Sequence, residues 1–304
     1  MIIFATSDKG GTGRSVTGSN VAYRHALQGK DSCYLDFDFG SPTSGAIFDL
    51  PEVLAGVEEG GLHSYLLEGT QPRRINVWAD SQRESLRNRP AGAGRLTLVP
   101  GDAGRGEFGS APGVVERCVT LFQRLDEEYD LILVDLSAGR SYATEIVLAA
   151  TAQPALRDVE ARWLVFHRWT RQHIIAASGL VNGKDGIIGT GVHLGHDSAE
   201  LRASIRFVRT AVLDPSSPDQ AGLRPEQLAW LDVVNRRLQD LASRKGVGRL
   251  NMIGEVPLDP VLQWQEQLIS NDDVWLHRTA NERTVAAFED LAKKIVDESA
   301  WVGL

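Results

Sequence analysis

The sequence is short of cysteine, of lysine and of long apolar runs. Its 304 residues include two cysteines, Cys33 and Cys118, which form no C-x-x-C pair and no metal-ligand spacing. That excludes a disulfide scaffold or zinc ribbon and places both thiols in the expected core. No stretch approaches the roughly 20 apolar residues that cross a bilayer, which excludes a membrane-spanning helix. Residues 1–7 carry no basic segment, and their apolar run is too short for a signal peptide. A cytoplasmic location is therefore expected, and membrane attachment is not. Positive charge is also short. The formal net charge is -8, which disfavours a non-specific DNA binder unless a local patch acts alone. Arginines outnumber lysines 26 to 6, which reads as compositional bias and not as a binding site.

What remains is ordinary globular composition, 42% hydrophobic and 24% charged, in a chain long enough for one large domain or two modest ones. No repeat or boundary is visible, so a single domain over 1–304 is expected. Residues 2–7 read as a buried strand that runs into a glycine-rich loop. Residues 15–28 read as a helix stopped by Gly29, and 32–38 as a second strand. Further strands are predicted over 95–100, 130–135, 162–166, 204–212 and 251–256. The helices between and after them cover 112–128, 142–152, a segment ending near Val181, 224–245 and 282–299. Such alternation predicts an α/β fold, a doubly wound and mainly parallel sheet flanked by helices on both faces. The stretches 83–95 and 183–200 read as mobile surface loops.

The first turn carries the chemistry. Lys9, Gly10, Gly11, Thr12, Gly13, Arg14 and Ser15 join a strand to a helix. Glycines let backbone N–H groups approach phosphate oxygens, and the helix N-terminus adds partial positive charge. Against G-x-x-x-x-G-K-[ST] the fit is poor, because Asp8 replaces the first glycine and Arg14 the lysine. A tight turn is the plain alternative. Two further strand ends argue against it: Asp36 and Asp38 close the second strand, and Asp135 closes the strand before Leu136. In a parallel sheet such ends converge on one crevice. Together they supply phosphate donors, a hydroxyl at Ser15 and carboxylates.

These residues resemble the ParA/MinD family of deviant Walker ATPases, whose loop reads K-G-G-x-G-K-[ST] with an early signature lysine. Segments 34–43, 61–69, 96–101, 129–139, 252–260 and 284–292 resemble further family motifs, while about 153–250 matches loosely. The resemblance implies a P-loop NTPase fold, ATP with Mg²⁺ as cofactors, and a nucleotide-sandwich homodimer. Lys9 would reach the other subunit's phosphates. Gly10 and Gly11 through Val16 would cradle the phosphates, with Ser15 on Mg²⁺. Asp38 would orient the attacking water, Asp36 would support the Mg²⁺ shell, and Asp135 would hold a metal-bound water. Pro257 would lie beside the adenine. Two departures stand out: Arg14 replaces lysine, and the strand over 205–212 has no Asn for the base. The function implied is a slow ATPase switch that positions or regulates a partner or cargo. A pseudo-ATPase scaffold is the first alternative, and a ligase of the dethiobiotin synthetase type the second.

Other features have plainer readings. His193, His196 and Asp197 lie around glycine and read as a loop, not a metal site. Arg202, Arg206 and Arg209 read as a solvated face. The apolar stripe from Phe288 to Leu304 reads as core packing and not as a membrane tail. Trp163, Trp169, Trp230, Trp264 and Trp275 read as core or partner surface.

Overall fold

Ile2, Ile3, Phe4 and Ala5 have no polar side chain, and all four are fully buried. Alternation sends Ile2 and Phe4 into one hydrophobic cluster and Ile3 and Ala5 into the other, on opposite faces of a sheet. This strand, β1 (Ile2–Thr6), pairs in parallel with both neighbours, so neither face nor edge meets water. The computed structural model describes residues 1–87, 89–109, 111–213 and 222–302.

Seven more strands complete the sheet: β2 (Ser32–Phe37), β3 (Ile75–Asn76), β4 (Leu96–Val99), β5 (Leu131–Leu136), β6 (Ala161–Arg168), β7 (Ile205–Val212) and β8 (Met252–Pro257). Their spatial order is β3-β4-β2-β5-β1-β6-β7-β8. Among the described residues, only the short β3–β4 pairing is antiparallel. The expected doubly wound, mainly parallel sheet is present. The helices Arg14–Leu27 and Glu282–Lys294 cover one face through Val21, Ala22, Phe288 and Leu291. The helices Val114–Glu128, Tyr142–Thr151 and Arg171–Asn182 cover the other through Phe122, Val147 and Ile174. Cys33 and Cys118 are free and buried, as expected. Among the described residues, no helix is long and apolar enough to cross a membrane.

Several expectations need correction. The segment 183–200 is not a loop: Ile187–Leu194 is a helix, and Ser198–Ala203 begins another. Its glycines serve close packing. A Cβ on Gly189 would collide with the Lys184 carbonyl, and one on Gly191 with the Leu201 side chain. His196 Nε2 lies 2.8 Å from the Leu148 carbonyl, and the Asp197 side chain caps the following helix. The segment 83–95 is irregular but anchored. Leu86 is fully buried, and Arg83 bonds Asp273 at 2.6 Å. Asn88 lies outside the described residues.

Arg206 and Arg209 are not on a solvated face; both are buried, and only Arg202 is exposed. Arg206 donates to the carbonyls of Ala300 and Trp301 and lies over the Trp301 ring. Arg209 stacks 3.4 Å from the Trp169 ring centroid and pairs with Glu255. Aromatic faces and carbonyls replace the water that the strand position takes away. The closing helix ends at Lys294, five residues before the predicted end, and a short 3-10 turn follows at Glu298–Ala300. Phe288 and Leu291 pack in the core; Gly303 and Leu304 lie outside the described residues.

Candidate functional site

Gly11 (φ 69°) and Gly13 (φ 75°) take left-handed backbone between β1 and the first helix. A side chain there would be strained, so glycine is required for the turn. Gly13 is the helix N-cap and has no side chain to cap with, which leaves the first amides open to an anion. The helix begins at Arg14, one residue earlier than predicted. Thr12 is buried, and its carbonyl accepts from Thr210 Oγ1 of β7 at 2.5 Å. Behind the loop, the Gly139 amide donates to the Ser7 carbonyl at 2.7 Å. The loop is thus tied to β7 and to the segment that follows β5.

These strand ends enclose a cleft of about 600 Å³, a size suited to a small-molecule ligand. Gly10 through Val16, Asp38 and Pro257 all line it. Lys9 is exposed beside it and makes no ion pair among the described residues. Sequence reasoning missed other lining residues, including Arg168, Thr210 and Ala211. The strand-end rule could have marked Arg168 and Thr210. Ala211 had no such signal: its positive φ of 52° comes from an irregular pairing of β7 with β8. Asp259 was missed in role. Its buried carboxylate accepts from the Asn281 amide and from Thr284 Oγ1, which pins the Pro257 segment to the closing helix.

Arg14 dominates the electrostatics. Its guanidinium is buried between the carboxylates of Asp135 and Asp38. Nε donates to Asp135 Oδ1 at 2.5 Å, Nη2 to Asp38 Oδ2 at 2.7 Å, and Nη2 also to Ser15 Oγ at 3.3 Å. Burial works against the charge, but Asp135 and then Asp38 outweigh it and raise the pKa. Tyr34 holds the other face of Asp135, its hydroxyl donating to Oδ2 at 2.9 Å. Asp36 is held on both oxygens too. Its Oδ2 accepts from the Ser44 amide and hydroxyl at 3.1 and 2.5 Å, and its Oδ1 from the Asp38 amide at 3.2 Å. Burial, then the charge of Asp135, pushes the Asp36 carboxyl up to about 7.

The residues assigned to Mg²⁺, Ser15, Asp36 and Asp135, therefore do not fit the ion in this arrangement. Both oxygens of each carboxylate are taken by the chain's own donors. No group of three or more His, Cys, Asp or Glu suited to a metal occurs among the described residues. At about 4 Å and an effective dielectric constant of about 20, two unit charges interact by about 4 kcal/mol. By that measure Arg14 cancels, for any incoming cation, roughly what one of its two carboxylates offers.

A doubly wound sheet, a glycine-rich loop after β1 and carboxylates at the ends of β2 and β5 define the P-loop NTPase fold. Within that class the chain has the fold of the MinD and ParA ATPases, and the resemblance read from its motifs holds at that level. A chain of the MinC:MinD cell division protein complex of Aquifex aeolicus superposes with a TM-score of 0.59 at 18% identity, covering 97% of this chain and 95% of that one. pNOB8 ParA bound to nonspecific DNA gives 0.55 at 17%, covering 97% of each. The septum site-determining protein MinD of Pyrococcus horikoshii, complexed with Mg-ADP, gives 0.53 at 15%, covering 98% of this chain and 96% of that one. In sequence, the chain is 27% identical over 133 residues to CapB of Staphylococcus aureus, described as a candidate tyrosine-protein kinase. That match spans 44% of this chain and half the length of the relative. No family model matches the chain.

Proposed function

We propose that the chain is a ParA/MinD-like ATP-binding switch, a single P-loop ATPase domain over residues 1–304. One observation carries this reading: the phosphate loop, Asp38 after β2 and the Pro257 segment border a single cleft of about 600 Å³, with Asp135 of β5 bonded to the lining residue Arg14. The phosphates rest on the Gly10–Val16 backbone, and the base lies toward Pro257. Lys9, exposed and without an ion pair among the described residues, reaches the phosphates of a second subunit, so that ATP joins two copies. Asp38 orients the water, and slow hydrolysis resets the dimer. The two states differ in what they hold, which lets the cycle position or regulate a partner. The structural neighbours named for septum placement and DNA binding agree with such a role. Size-exclusion chromatography tests it. The native chain should elute as a dimer with ATP and as a monomer without, and Lys9→Ala should stay monomeric in both. An unchanged ATP-dependent shift in Lys9→Ala would remove the sandwich mechanism.

A second reading is favoured by Arg14, whose hydrogen bonds occupy Asp38 and Asp135 together. A nucleotide-binding scaffold with little turnover has no need of a free Asp38. Single-turnover hydrolysis of ATP by the native chain and by Arg14→Lys decides between them. Turnover confined to Arg14→Lys supports the scaffold, and measurable native turnover supports the slow ATPase.

A further inference from the structure

We propose that Arg14 stands in for a divalent ion, so that the cleft takes a nucleoside triphosphate without bound magnesium. The inference rests on the nucleotide-binding reading above. It goes further, because it makes the cation of the site part of the chain.

The guanidinium occupies the centre of the cluster to which a metal would have to bind. It contacts Asp135, Asp38 and Ser15 at 2.5, 2.7 and 3.3 Å. The remaining oxygen of Asp135 is taken by Tyr34, and both oxygens of Asp36 by Ser44 and the Asp38 amide. A metal entering this cluster would displace Arg14 from its buried ion pairs with Asp135 and Asp38. Arginine is suited to the part. It stays charged at any physiological pH, and its planar fork donates in several directions at once. Nε and Nη2 are committed to the chain. Nη1 has no hydrogen-bond partner among the described residues, and Arg14 lines the cleft. Two N–H groups thus remain for phosphate oxygens, where charge-assisted bonds are strongest. A lysine has a single ammonium and no fork. It cannot hold Asp135 and Asp38 through separate nitrogens while pointing others at a phosphate.

The test compares ATP binding to the native full-length chain by isothermal titration calorimetry, once with saturating MgCl₂ and once with excess EDTA. For the native chain the two dissociation constants should differ by less than about fivefold, a free-energy difference below about 1 kcal/mol. In Arg14→Lys the cluster is released, and magnesium should tighten binding by more than about tenfold. Circular dichroism confirms that the variant is folded. A native ratio of about fivefold or more overturns the proposal while leaving nucleotide binding intact. So does a folded Arg14→Lys whose ratio is as small as the native one. Absence of ATP binding in both buffers overturns this proposal and the function it rests on together.

Discussion

Arg14 shows what single residues reveal and conceal. Its identity was plain in the sequence as a departure from the phosphate-loop lysine, and so were the carboxylates at the strand ends. Their pairing was not, because Arg14 and Asp135 are 121 positions apart and meet only when β1 and β5 lie side by side. Nor could spacing reveal that Tyr34 and Ser44 already satisfy the carboxylates. The buried pair has a consequence for stability. Removing one partner strands the other's charge, at a cost of about 3–5 kcal/mol. Arg14→Ala should lower the unfolding free energy of the apo chain, measured by urea denaturation, by that order. Adding Asp135→Asn should recover most of the loss, because the stranded charge goes with it. If the double variant is no more stable than Arg14→Ala, the Arg14–Asp135 contact does not carry the energy assigned to it.

Regular strands and helices were the most legible elements. Continuous apolar runs marked β1, β2 and β5, and the 3.6-residue period marked Val114–Glu128, with boundaries off by one or two residues. Two-residue β3 left no periodicity to read. The segment 183–200 failed for a different reason: glycine was read as a sign of flexibility. In the helix Ile187–Leu194, glycine is present because neighbouring atoms leave no room for a Cβ. This makes a substitution act against propensity. Alanine is favoured over glycine in a helix by about 1 kcal/mol. At Gly189 the added methyl would meet the Lys184 backbone carbonyl, and overpacking of this kind costs roughly 1–3 kcal/mol. Gly189→Ala should therefore lower the melting temperature. An equal or higher value would mean that the turn at Lys184 yields freely. Arg206 and Arg209 teach the same lesson from the polar side: their strand buries them, and tryptophan faces and carbonyls take the place of water.

For the whole molecule, charge bears on what the chain can meet. The net charge of -8 was legible from composition alone. The structure adds where the positive charge lies. Arg14, Arg24, Arg162, Arg206 and Arg209 are all buried, so none is free to contact a phosphate backbone. Five carboxylates, Asp36, Asp102, Asp135, Asp259 and Asp273, are buried as well, so the outer surface keeps the acidic balance of the composition. Non-specific DNA binding depends on exposed cations releasing condensed counterions, and affinity falls steeply with salt in proportion to the phosphates contacted. A fold shared with a DNA-bound ParA therefore does not carry DNA binding with it, since the fold sets the strands and not the surface charge. Fluorescence anisotropy with labelled duplex DNA should show no binding at physiological ionic strength, with ATP or without. Lowering the salt should add little, because the excess of surface carboxylates repels the phosphate backbone. ATP-dependent binding that weakens along a steep salt slope would overturn this expectation, and would mean that dimerisation assembles a basic surface that one copy of the chain lacks.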